Sequence, residues 1–141
     1  RSEMCIRDRY ISEEVDLRCQ MVRFLVEESD GYKVAFPEEQ FKDDDAFYNG
    51  YDLLKTDDAK KVGEDNDGFS KWETWQGELD DDKKVKLICY LSEYPIYNII
   101  FTKNGEDIYQ INDFRNLYSF SESALNKLQS AFPDLDYFIF K

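Results

Sequence analysis

Asn104-Gly105 stands between two strand-like stretches, Ile96 to Lys103 and Glu106 to Ile111. An Asn-Gly pair accepts the positive φ angles of a two-residue hairpin loop, so it pins an antiparallel pair of strands in the C-terminal half of the chain. Around it, residues 15–27 alternate at their start and read as a strand. Ser29-Asp30-Gly31 supplies a turn, and Tyr32 to Phe36 alternates again, which makes a first hairpin that Pro37 ends. Val85 to Leu91 and Phe69 to Leu79 carry strand composition, with Asp80-Asp81-Asp82-Lys83 as a polar loop between them. Phe47, Tyr51 and Leu54 recur at helical spacing, and Thr56 is placed to cap a short helical turn over Asp57 to Val62. Ser119 and Glu122 fit a capping box ahead of Leu125, Leu128 and Phe132, with Pro133 as the stop. Tyr137 to Phe140 reads as a last strand. The expected fold class is α+β, a mostly antiparallel sheet of about six to seven strands with two helices packed on one face.

Residues 1–9 take no part in that pattern. The run Arg1-Ser2-Glu3-Met4-Cys5-Ile6-Arg7-Asp8-Arg9 resembles the in-frame translation of a transposon-end adapter used to prepare sequencing libraries. It is set aside as a processing scar, of the kind left in assembled environmental DNA. One native domain is expected over residues 10–141, with its true N-terminus lying upstream. Met21 is not taken as the start, because Val15, Leu17, Cys19 and Met21 alternate with Asp16, Arg18 and Gln20.

Hydrophobic residues make up 42% of the chain and aromatics 16%, enough for a core at 141 residues and too many for a disordered acidic tail. The net charge of −13 is unevenly placed. Residues 38–82 hold 16 acidic and 5 basic side chains, a net of −11, whereas residues 83–141 hold 7 of each. A field of that sign repels phosphate backbones, which argues against nucleic acid and against an anionic membrane as partners. No apolar run approaches the roughly 20 residues that cross a bilayer. Cys19 and Cys89 both lie in apolar runs and are expected to be buried core thiols, so a cytoplasmic, reducing setting is the default.

The chain has no histidine. Ser-His-Asp and Cys-His nucleophile pairs, a histidine general base, and the zinc sites built on histidine are therefore excluded. There is no phosphate-cradling glycine loop, and no cofactor is expected. If Gly68 is the sixth position of a calcium loop, Asp65 and Asp67 fall correctly, but Gly63 takes the first place and Thr74 the twelfth, so the ligand set is incomplete. The triplets Asp43-Asp44-Asp45 and Asp80-Asp81-Asp82 do not converge on one ion, because consecutive side chains diverge on a helix and alternate faces on a strand. No catalytic or metal residue is assigned.

What remains is surface. Trp72 and Trp75 are three apart on a strand and point to opposite faces, and Trp and Tyr favour protein interfaces. The functional expectation is a protein-binding module that turns its acidic segment 38–82 to a basic protein partner, in the manner of an immunity protein, an antitoxin or a DNA mimic. The partner-binding residues would be Asp43, Asp44, Asp45, Asp57, Asp58, Trp72, Trp75, Asp80, Asp81 and Asp82. The alternatives are a carboxylate-based enzyme, with or without a divalent metal, and a fragment of a larger viral or structural protein.

Overall fold

A computed structural model describes residues 11–37, 50, 52–66, 68, 71–94, 96–112 and 116–134. The elements run α1 (Ile11–Glu28), β1 (Gly31–Pro37), β2 (Lys60–Asn66), β3 (Lys71–Glu78), α2 (Asp81–Glu93), β4 (Asn98–Lys103), β5 (Glu106–Asn112), β6 (Asn116–Ser119) and α3 (Glu122–Ala131). Residues 52–54 are also helical, ahead of β2. The fold is α+β, and among the described residues six strands form one sheet in the order β2-β3-β1-β4-β5-β6 with every neighbouring pair antiparallel.

Strand alternation builds the core. Tyr32, Val34 and Phe36 of β1, Ile99 and Phe101 of β4, Tyr109 of β5 and Leu117 of β6 are all buried. The register places Gly77, Tyr32, Phe101, Tyr109 and Ser119 in one cross-strand row. The helices add Met21, Val22, Leu25 and Val26 from α1, Leu87 and Leu91 from α2, and Ala124 and Leu128 from α3 to the same cluster. Each fully buried aliphatic or aromatic side chain there stabilises the fold by roughly 1.5–3 kcal/mol. The tyrosines also tie down backbone: Tyr109 Oη donates to the Ala124 carbonyl at 3.0 Å, and Tyr32 Oη donates to the Leu54 carbonyl. The ring of Phe24 stands edge-on to Tyr109, with centroids 6.3 Å apart.

The Asn104-Gly105 hairpin forms as the dipeptide requires, with φ of 52° and 80° at the two residues. Asp30 reaches across to it, accepting from the Asn104 N–H at 3.0 Å. Elsewhere several expected elements differ. Residues 15–27 are not a strand but the body of α1. Its buried residues are Met21, Val22, Leu25 and Val26, a helical spacing that the alternation of Val15 to Met21 concealed. Val85 to Leu91 is likewise helix α2. Leu87 and Leu91, one turn apart, are buried while Val85 is 62% exposed, which a strand buried on both faces would not allow.

The supposed loop before it is the helix start, with Asp80 as N-cap accepting from the Lys83 N–H at 2.7 Å. Residues 57–58 form a turn, and the chain then enters β2 rather than a capped helical turn. The cap of α3 is Ser121, which accepts from the Ala124 N–H at 3.0 Å, so Ser119 is left as the end of the unforeseen strand β6. Three helices with described bounds, plus residues 52–54, replace the expected two. The expected strand at Tyr137 to Phe140 lies outside the described residues. So does most of the expected helix near Phe47.

Candidate functional site

Five aspartates, Asp57, Asp58, Asp80, Asp81 and Asp82, meet at the N-terminal end of α2. Asp81 and Asp82 occupy its first turn, where acids favour the positive end of the helix dipole, and Asp80 caps it. Facing them is the turn at residues 56–59, closed by the Ala59 N–H donating to the Thr56 carbonyl at 3.0 Å. Within it the Thr56 hydroxyl donates to the Asp58 carboxylate. Asp57, Asp58, Asp80, Asp81 and Asp82 are all exposed.

Lys83 joins the two segments. Its Nζ donates to Thr56 Oγ1 at 3.3 Å, lies 3.8 Å from Asp58 Oδ1, and sits 5.5 Å from the centre of the Tyr32 ring. The Thr56 hydroxyl, the backbone N–H of Asp58 and the Lys83 charge hold the Asp58 carboxyl below the ordinary carboxylate range. Lys86 pairs with Asp82 at 2.9 Å one helical turn away, and that carboxylate raises the lysine's pKa. Of the five acids at this end, Asp58 pairs with Lys83 and Asp82 with Lys86.

The rest of the acidic segment is differently arranged. Glu64 and Glu73 are neutralised on the β2–β3 ribbon: Lys61 contacts both, Lys55 lies 3.5 Å from Glu73, and Lys71 lies 3.5 Å from Glu64. Burial opposes ionisation of Glu73, but Lys61, Lys55 and the Trp75 indole outweigh it, and its pKa is lowered. Glu64 is lowered chiefly by its hydrogen bond with Lys61. The described part of segment 38–82 thus holds an ion-paired ribbon and an acidic end.

The two tryptophans fall on opposite faces of β3. Trp75 packs against the core with Lys55 Nζ 4.6 Å above its ring, and Trp72 stacks on Tyr97 with centroids 4.6 Å apart. Trp75 thus meets Lys55, and Trp72 meets Tyr97. Asp43, Asp44 and Asp45 lie outside the described residues. Among the described residues no three His, Cys, Asp or Glu side chains are grouped to hold a metal. Cys19 is half-buried, but Cys89 is exposed on α2 rather than in a core strand. Sequence reasoning gives Lys83 and Tyr32 no place in the site and reads Thr56 only as a helix cap; a lysine in the first turn of a helix is the one signal that could mark Lys83.

Fold and surface together define a small α+β domain with an acidic helix end. No protein family model, no curated protein and no solved structure matches the chain. Among the described residues, no helix is long and apolar enough to cross a membrane.

Proposed function

We propose that this domain binds a basic protein through the acidic end of α2, using Asp57, Asp58, Asp81 and Asp82 on a frame set by Asp80, with Asp43, Asp44 and Asp45 belonging to the same interface. The observation that carries it is the Lys83 contact with Asp58, which brings two aspartate groups that are far apart in sequence to one end of one helix. An exposed cluster of one sign steers a cationic partner and disfavours wrong ones. An immunity protein, an antitoxin or a DNA mimic acting in the cytoplasm would present such a surface. A helical layer confined to the Tyr32 and Tyr109 side of the sheet belongs to the same picture, as the rigid support of α2.

The test is capture from a host lysate at low salt followed by a high-salt wash, with the intact chain beside a variant carrying Asp57→Asn, Asp58→Asn, Asp81→Asn and Asp82→Asn. A basic protein held by the parent, released by salt and not held by the variant is the expected result. Equal retention by both proteins would remove the acidic end of α2 as the interface.

A further inference from the structure

Lys83 is oddly placed for a lysine. In the first turn of α2 it sits at the positive end of the helix dipole, where a cation is disfavoured, and its side chain is only 11% exposed. Lys86, three residues on, shows the ordinary arrangement: 62% exposed and paired within its own helix. The contacts that offset the cost at Lys83 come from outside α2, from Thr56 Oγ1, from the Asp58 carboxylate and from the face of the Tyr32 ring. Tyr32 in turn donates to the Leu54 carbonyl. The chain is therefore held at two points, to β1 through Leu54 just ahead of the 56–59 turn and to α2 through Thr56 and Asp58 within it.

We propose that Lys83 is the positioning residue of the acidic surface: it fastens the 56–59 turn to the N-terminus of α2 and so fixes Asp57 and Asp58 beside Asp81 and Asp82. This rests on the acidic-surface reading of function, and it makes a prediction opposite in sign to simple charge. Removing any lysine makes the protein one unit more negative, so charge alone should tighten binding to a cation. Removing Lys83 frees the turn and spreads the carboxylates, and binding weakens despite the gain in charge.

The experiment compares Lys83→Met with Lys86→Met in the intact chain, reading two quantities. One is amide exchange at Ala59, whose N–H closes the turn, with the Val34 amide of central strand β1 as an internal control. The other is the Kd for short poly-L-lysine at low salt. Lys83→Met is expected to speed Ala59 exchange about tenfold with Val34 unchanged, and to weaken poly-L-lysine binding several-fold. Lys86→Met should leave exchange alone and tighten binding slightly, and Lys83→Arg should restore the parent behaviour. Should Lys83→Met fail to fold, Lys83→Gln removes the charge that meets Asp58 and the Tyr32 ring while leaving the Thr56–Asp58 bond of the turn intact, and the same changes are expected of it. Unchanged Ala59 exchange in Lys83→Met, with binding tightened as in Lys86→Met, would overturn the proposal. If poly-L-lysine binds none of these proteins, the acidic-interface function is what fails, and Ala59 exchange alone decides whether Lys83 fastens the turn.

Discussion

Tyr32 occupies the space that a side chain on Gly77 would need. A Cβ built on Gly77 falls 2.7 Å from Cζ and 2.9 Å from Cε1 of the ring, and the ring is fully buried with its hydroxyl held by Leu54. The two residues are direct partners across β1 and β3, so the ring cannot swing aside without breaking that hydrogen bond or opening the sheet. Gly77→Ala is expected to destabilise the protein by about 1–3 kcal/mol through overpacking, measured by urea denaturation. A loss below about 0.5 kcal/mol would show that the ring has room to move.

The two buried tyrosines set the alkaline limit. Burial, with a further push from the Asp58 charge, raises Tyr32 to about 12, against the opposing hydrogen bond from Thr56. Burial and the Glu28 charge likewise raise Tyr109 to about 12. An unfolded tyrosine titrates near 10. The folded state therefore holds protons that the unfolded state has lost, and stability falls as pH rises. It should be fully present below about pH 10 and lost between there and about pH 12, the two tyrosines adding two protons to a slope to which the raised Lys61 also contributes. Denaturation midpoints taken from pH 8 upward test this, and Tyr109→Phe should lower the slope by one proton.

At the acid end the lowered carboxyls Asp58, Glu64 and Glu73 act in the opposite sense. Their contribution is present above the ordinary carboxylate range and is lost as pH falls through their depressed values. Replacing Lys61, which contacts both glutamates, should flatten this acid loss more than replacing Lys86 does.

Asp80 caps α2, so Asp80→Ala should cost about 1 kcal/mol by leaving the Lys83 N–H without its acceptor. Asp81→Ala, whose side chain makes no such cap, should cost only a few tenths. Equal losses in thermal denaturation would point to the helix dipole rather than the cap as the source.

Cys89 is exposed and Cys19 half-buried. A disulfide reagent added to residues 10–141 should react in a fast and a slow phase, and Cys89→Ser should remove the fast one.

Local chemistry explains which parts of the fold were legible. The β4–β5 hairpin, β1, β3 and the body of α3 rest on short-range signals: Asn104-Gly105, the alternation of Tyr32 to Phe36, Trp72 and Trp75 on opposite faces, and the spacing of Leu125 and Leu128 ahead of Pro133. The two helices misread as strands were misled by composition. Val85, Ile88, Cys89 and Tyr90 are strand-favouring types, but the capping aspartate and the Leu87–Leu91 spacing decide the outcome once α2 packs against α1. The fit of Ser119 and Glu122 to a capping box hid the short strand β6. For the candidate site, the aspartates were visible as charge. Their meeting was not, because it depends on contacts from Lys83 to Thr56 and Asp58 that span over twenty residues.

Because β1 lies between β3 and β4, its two neighbours come from later in the chain and run in the same direction. The meander β4–β5–β6 pairs only near neighbours, so it can assemble as soon as it is made. The centre of the sheet cannot, since β1 must wait for partners that close loops of some tens of residues, and that closure entropy precedes any reward from pairing. Folding should therefore be paced by the capture of β1 between β3 and β4. During synthesis, the Tyr32 ring and the apolar side of α1 emerge well before the strands that will cover them.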